Sequence, residues 1–525
     1  MVRLTTLACI ALLVLAFAPK PVIGNTPIHG MYTNHHGPHQ AEVRCLRLLS
    51  HGPIEIMGNE AFASQGWPGN GTEDDPYRIE GLNITTMEAL AIGIWNTSAH
   101  FVIRDCFLSC VGNQRNLVQW TNVTHGTIDA CSLVTPARCF FASHCTYMTV
   151  RDTDFSAGGE GGWIEYCDSL VLERNNVLAV DWGFHLEIVS NMNVTENHFV
   201  GCAAGVYVNG ASQTEATENT FTDGMTGMFI YPGAELFTVK SNKFENLTSA
   251  AIWLSTSLMD SLYHQQSNAT VGIVLSDNAV SHCETGLISG GGSWTLFKNN
   301  TVVGCDRGVV LSDSAYIQII NNTIVETSSI AVTITNGATG HRIFGNVITG
   351  SGVHNALDDS GNTEWDDGIS MGNTWDDYDG YGVYSIPGSA GSVDRWPERT
   401  GPPFLWIENE TEIVAGTTNN NLVWTAYDSQ PSSFELFKNG TMVDSDIWYG
   451  GNITTSLDEL EAGVYNYSMV VMNLRNESSR AWTLVRVIQP STSSLSPVLM
   501  VVASIASLVA IASLYAVVAI ARLRP

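Results

Sequence analysis

One short pattern returns along most of the chain and restricts what it can fold into. It is seen in Ile103-Arg-Asp-Cys-Phe-Leu108, Val150-Arg-Asp-Thr-Asp-Phe155, Val194-Thr-Glu-Asn-His-Phe199, Val239-Lys-Ser-Asn-Lys-Phe244, Leu275-Ser-Asp-Asn-Ala-Val280 and Ile319-Ile-Asn-Asn-Thr-Ile324. Its fourth position falls at Leu82, Cys106, Cys131, Thr153, Asn175, Asn197, Asn219, Asn242, Asn278, Asn300, Asn322 and Asn346, at intervals of 24, 25, 22, 22, 22, 22, 23, 36, 22, 22 and 24 residues. A period near 22 is too short for two-helix repeats, and the Leu-dominated consensus of leucine-rich repeats is absent, so each unit reads as one coil of a β-solenoid. Coils stacked ~4.8 Å apart place equivalent side chains above one another. Asn175 to Asn346 then form a buried ladder of amides, and Phe199, Phe221 and Phe244 a column of core rings. The interval of 36 exceeds the period by 14 (36 − 22), which predicts a loop around Thr256–Thr270.

The predicted fold is all-β: a right-handed parallel β-helix of about 12 coils, a small β-sandwich and one C-terminal transmembrane helix. Residues 1–24 read as a signal peptide, with Arg3, an apolar run Leu7–Ala18 and small residues at Val22 and Gly24. Residues 25–50 form a His-rich leader, 51–398 the β-helix, 403–489 the sandwich and 490–497 a polar stalk. Val498–Ala521 is an uncharged run of 24 residues, enough to cross ~30 Å of hydrocarbon, and Arg522 and Arg524 place the tail 522–525 in the cytoplasm. The expected location is therefore the plasma membrane, single-pass, with the ectodomain outside. A tail of that size cannot fold, so it carries no signalling domain.

Charge and sequons fit that topology. The chain carries 23 Lys and Arg against 51 Asp and Glu, a net charge of -28, which argues against nucleic acid as a partner. Fourteen N-x-[ST] sequons mark glycosylation candidates: Asn70, Asn83, Asn96, Asn122, Asn193, Asn246, Asn268, Asn299, Asn321, Asn409, Asn439, Asn452, Asn466 and Asn476. Cys106 with Cys131, and Cys283 with Cys305, occupy equivalent places in adjacent coils, where they are either disulfides or unpaired thiols filling core sites.

A second strand begins eight residues after the ladder position, in Gly161-Gly-Trp-Ile-Glu165, Gly183-Phe-His-Leu-Glu187, Gly205-Val-Tyr-Val-Asn209 and Gly227-Met-Phe-Ile-Tyr231. Ile164, Leu186, Val208 and Ile230 are of the core parity, with Phe184, Val206 and Met228. The opposite parity points outward, giving one column of Trp163, His185, Tyr207 and Phe229 and another of Glu165, Glu187, Asn209 and Tyr231. Rings beside polar groups suit sugars, which makes Trp163, His185, Tyr207, Phe229, Asn209 and Tyr231 candidate ligand-binding residues. The alternative is a flanking loop that covers these rings as packing. Glu165 and Glu187 are candidate catalytic residues, because stacking sets their carboxyls ~5 Å apart, the separation of a retaining glycosidase. Any stacked Glu pair shares that spacing.

The segments His51-Gly-Pro-Ile-Glu-Ile-Met-Gly-Asn59 and Trp67–Leu82 resemble the entry of right-handed β-helix proteins of archaeal surfaces. Trp365-Asp-Asp-Gly368, Gly372–Tyr378, Ile386-Pro-Gly388 and Asp394-Arg-Trp-Pro397 resemble the closing motif of NosD-like proteins. The resemblance spans about residues 51–398; it implies the β-helix and, through NosD itself, copper. His29, Met31, His35, His36 and His39 are candidate copper ligands, against the more common meaning of a flexible solvated leader. Asp376, Asp377 and Asp379 are candidate calcium ligands, against the default of a solvated acidic turn; the longer alternating Asp and Gly run that suggests calcium in the family is missing. Leu460–Tyr467 resembles the tyrosine-corner region of immunoglobulin-like domains, with Tyr465 as the corner. The leading functional class is a surface module that binds a glycan or envelope component; an anchored polysaccharide hydrolase or lyase is the alternative, followed by a structural envelope protein or a NosD-like copper-binding protein.

Overall fold

The computed structural model describes residues 48–490 other than 88–89, 113–115, 180, 232, 256–271, 336, 381 and 429. The signal segment, residues 25–47 of the histidine-rich leader with its copper candidates, the predicted loop Thr256–Thr270, the sequon at Asn268 and the apolar run Val498–Ala521 lie outside the described residues. Among the described residues no helix is long and apolar enough to cross a membrane.

The repeat folds as a stack of parallel strands. One sheet holds 15 strands, from Leu49–Ser50 to Glu398–Arg399, so the stack is taller than the 12 coils read from the sequence. One extra turn comes from the entry, where Leu49–Ser50 pairs with Leu82–Asn83, and two from the closing segment, where Thr374–Trp375 pairs with Val347–Ile348 and Glu398–Arg399 pairs with Thr374–Trp375 without repeating the spacing. A second parallel sheet of 25 strands wraps the other faces, and long strands such as Trp182–Ser190 and Ala204–Thr217 bend through it. At the start the short helix Glu60–Ser64 lays Phe62 on Tyr77, ring centroids 4.7 Å apart, and on Phe101.

The ladder sits at the corner between the sheets. The residue before it turns through positive φ, as at Arg174 (φ 50), Glu196 (φ 54) and Glu218 (φ 57), and the amide that follows takes over backbone hydrogen bonds freed by the turn. Asn197 is representative. Its Nδ2 donates to Leu172 O (2.8 Å) and Asn219 Oδ1 (3.0 Å), and its Oδ1 accepts from Asn175 N (3.0 Å) and Nδ2 (2.9 Å). The series runs on past Asn346, whose Nδ2 donates to Asn373 Oδ1 (2.9 Å), and Asn373 N in turn donates to Asp394 Oδ2 (2.7 Å). Asp394 is fully buried and also accepts from Trp375 Nε1 and Trp396 N, both at 3.0 Å. Burial raises its pKa.

Next to the ladder, Phe199, Phe221 and Phe244 stack with centroids 4.8 Å apart at each step and planes within 4°. They lie against Gly183, Gly205 and Gly227, where a Cβ would come within 2.6 Å of a ring carbon. The nine described cysteines are all buried and unbridged. Cys145 and Cys167 make a third stacked pair, 3.4 Å apart from N to Sγ, that the ladder position alone does not identify.

Residues 404–488 form a 3-stranded and a 5-stranded sheet that share one apolar core of Leu422, Trp424, Met469, Val471, Val485 and neighbours, separate from that of the β-helix. The Tyr465 hydroxyl donates to Glu461 O at 2.9 Å.

Two buried histidines give the stack a pH dependence. Burial lowers the pKa of His341 to about 4, against an opposing pull from Asp358, and burial together with Arg138 lowers that of His185 to about 4. The unfolded chain, with imidazoles near pKa ~6.5, takes up these protons first. Stability should therefore be complete above about pH 6.5 and fall as the pH drops toward 4, by up to about 3 kcal/mol per histidine. Urea midpoints at pH ~7 and ~4.5 measure this, and His341→Asn should lose part of the difference while keeping an acceptor for Ile317 N.

Candidate functional site

The outward column is longer than the sequence alignment of coils suggests. In register it runs Phe141, Trp163, His185, Tyr207, Phe229, Trp253, six aromatic rings in six consecutive coils. Phe141 stands 22 residues before Trp163 and was available to the same spacing argument; Trp253 comes after an interval of 24 and breaks it. Trp182, the first residue of its strand, joins from the side at 5.0 Å from Tyr207 and 4.7 Å from His185. Tyr231 closes on Phe229 at 4.8 Å and Tyr207 at 5.1 Å.

The rings do not form a flat platform. Trp163 and His185 stack at 4.0 Å with planes 25° apart, Tyr207 and Phe229 at 5.8 Å and 19°, and Phe229 and Trp253 at 5.1 Å and 29°. Because each coil rises by about one ring thickness and a half, ring faces meet each other and ring edges meet solvent. His185 departs furthest from the outward expectation. It is buried under Trp163, Trp182 and Tyr207, while Trp163, Tyr207 and Phe229 are half-buried.

Above Trp163 the column opens into a cleft of about 540 Å³ whose wall includes Arg138, Phe141, Glu160, Trp163, Glu165 and Asp181. Arg138 is an ion-pair partner of Glu160, donates to Asn116 Oδ1 (3.2 Å) and lies over the Trp163 ring at 4.6 Å. The indole N–H of Trp163 and both ring nitrogens of His185 are enclosed without a hydrogen-bond partner. His185 Nε2 lies 3.8 Å from the Glu187 carboxylate.

The second column is in register at Ser143, Glu165, Glu187 and Asn209, with Tyr231 following its strand. Glu165 accepts from Ser143 Oγ at 3.0 Å. The pKa of Glu187 is raised, first by burial and then by the charge of Glu165. The two carboxyls are stacked neighbours on one strand face, not opposed across a groove.

Two of the three calcium candidates converge on one amide. Asn355 Nδ2 donates to Asp376 Oδ1 (2.7 Å) and Asp377 Oδ1 (2.8 Å), Gly350 N donates to Asp376 and the Tyr384 hydroxyl to Asp377, so both carboxylates are engaged by protein donors. Asp379 does not join them in a metal-sized cluster, and no group of three His, Cys, Asp or Glu suited to a metal occurs among the described residues.

Stacked parallel coils, an internal amide ladder and an outward ring column define a β-helix protein with a lateral cleft. The chain belongs to the right-handed β-helix family: the model described as right handed beta helix region matches residues 90–258 and 204–367, together more than half of the sequence. No curated protein matches. Among solved structures, the A-module of mannuronan C-5 epimerase AlgE6 from Azotobacter vinelandii is 12% identical, with 58% of this chain and 91% of that chain covered and a TM-score of 0.42. The hyperthermoactive exopolygalacturonase of Thermotoga maritima is 10% identical over 59% of this chain and 90% of its own, with a TM-score of 0.36. The GH87 α-1,3-glucanase of Streptomyces thermodiastaticus is 13% identical over 64% and 68%, with a TM-score of 0.39. These are likenesses of fold.

Proposed function

We propose that this protein is a surface-displayed β-helix that binds a saccharide in the cleft at the head of its aromatic column. The observation that carries the reading is the cleft itself: an aromatic wall, carboxylates at Glu165 and Asp181, and an enclosed indole N–H at Trp163 with no protein acceptor. Sugars offer both halves of the complement, apolar C–H faces for the rings and hydroxyls for the polar groups. Export, anchoring by Val498–Ala521 and glycosylation belong to the same proposal. Of the 13 described sequons (14 − 1), 12 have an exposed asparagine and only Asn83 is half-buried, whereas the ladder asparagines beside them are buried. Part of that pattern is turn chemistry: Asn299 (φ 54) precedes ladder residue Asn300 and strand residue Thr301, which together spell a sequon. NosD-like kinship and an immunoglobulin-like 404–488 unit are included in the reading, the latter supported by the Tyr465 to Glu461 bond and the shared core.

The test is a glycan array with the full-length protein, followed by titration of the best ligand. Trp163→Ala should weaken binding by about tenfold, since removing one desolvated ring contact is worth ~1.4 kcal/mol, with an unchanged circular dichroism spectrum. Undiminished binding would move the site elsewhere.

One observation favours hydrolysis as a second reading. A raised acid, Glu187, beside a second carboxylate, Glu165, is the division of labour of a glycosidase. Glu187→Gln should then abolish product release from a bound polysaccharide while leaving affinity nearly intact; a binding protein forms no product in either version.

A further inference from the structure

The cleft is unevenly charged, and that restricts its ligand. Three of its wall residues are carboxylates, Glu160, Glu165 and Asp181, and one, Arg138, is cationic. Arg138 is already consumed by Glu160, Asn116 and the Trp163 ring face. Glu165, Asp181 and, one coil below, Glu187 have no Lys or Arg partner among the described residues; Glu165 has the Ser143 hydroxyl, and Glu187 has only His185 at 3.8 Å. His185 does not supply the missing charge, because it is buried between rings, where a neutral imidazole is favoured. The Trp163 N–H of the cleft wall is unpartnered, as are both nitrogens of His185, which stacks on Trp163 at 4.0 Å.

Two cleft carboxylates without a cationic partner, Glu165 and Asp181, with Glu187 one coil away, repel any acidic polymer and attract ammonium groups. We infer that the cleft takes a glycan bearing free amino groups, and that polyuronates and sulfated chains are rejected. The inference rests on the saccharide-binding reading above and adds the chemical class of the ligand. A protonated 2-amino group donates up to three hydrogen bonds, so successive amino sugars can meet Glu165 and Asp181 at separate points of the wall while a pyranose ring meets the exposed edge of Trp163.

The experiment compares three oligosaccharides of equal length on the full-length protein by calorimetry: glucosamine oligomers, their N-acetylated counterparts and oligogalacturonate. Glucosamine oligomers should bind at least tenfold tighter than the acetylated series, oligogalacturonate should not bind, and the preference should shrink as salt rises from ~20 to ~300 mM. Glu165→Gln combined with Asp181→Asn should remove the preference, so that on this variant the glucosamine and acetylated oligomers bind with equal affinity. Equal affinity for the amino and acetylated series, or preference for oligogalacturonate, overturns the inference and leaves the saccharide site standing. Binding of none of the three overturns both.

Discussion

Replacing Asn219 by leucine is expected to cost about 2 to 6 kcal/mol, although the two side chains are nearly the same size. The Asn219 Oδ1 accepts from Asn197 N (2.9 Å) and Asn197 Nδ2 (3.0 Å), and its Nδ2 donates to Val194 O (2.8 Å) and Asn242 Oδ1 (2.9 Å). Leucine removes an acceptor from one buried backbone N–H and a donor from one buried carbonyl, each worth ~1 to 3 kcal/mol when left unmade. No water reaches the corner to replace them, since Asn197, Asn219 and Asn242 are each 1% exposed. Chemical denaturation of parent and variant measures the difference, and Asn219→Asp, which keeps the acceptor, should lose less at low pH than at neutral pH. A variant as stable as the parent would mean that the corner bonds are not made in solution.

The ring column gives the second large effect. Phe221→Ala should destabilise by about 3 to 5 kcal/mol, because Phe221 is stacked at 4.8 Å on both Phe199 and Phe244 and its removal leaves a cavity that neither neighbour can enter without leaving its own register. The reciprocal change, Gly205→Val, should be at least as damaging. A Cβ at Gly205 would stand 2.4 Å from Phe221 Cδ1 and 2.8 Å from Gly227 O, and the latter is backbone and cannot rotate away. Thermal melts of the two variants test whether ring and glycine are one packing unit. If so, Phe221→Ala combined with Gly205→Val should cost less than the sum of the two single changes.

The solenoid could be read from sequence because stacking turns a structural repeat into a numerical one. Asn175, Asn197 and Asn219 are 22 residues apart because each must lie on the one before, and the core parity of Ile164, Leu186 and Val208 follows from the same count. What escaped the count had lost the spacing. Asn373 continues the ladder 27 residues after Asn346, and Asp394 ends it with a different residue type, so neither fits a 22-residue template. At the site, alternation placed Trp163, Tyr207 and Phe229 on the outer face correctly but gave no ring orientation. Whether rings turn faces or edges outward is decided by the rise per coil and by intruders such as Trp182, which opens its strand three residues before the column position. The charge partners of the cleft were equally hidden, because Arg138 and Glu160 pair across 22 residues outside the repeated motif.

The amide ladder also has a sense of direction. Every asparagine in it accepts from the coil before and donates to the coil after, from Asn175 through Asn373, so an unfinished stack always presents unmet hydrogens at its advancing end. Asp394 accepts at each of its contacts with Asn373, Trp375 and Trp396 and hands nothing onward. The rod is thus a polymer with unlike ends that carries its own chain terminator, and its length is written at the single place where an aspartate takes the turn of an asparagine.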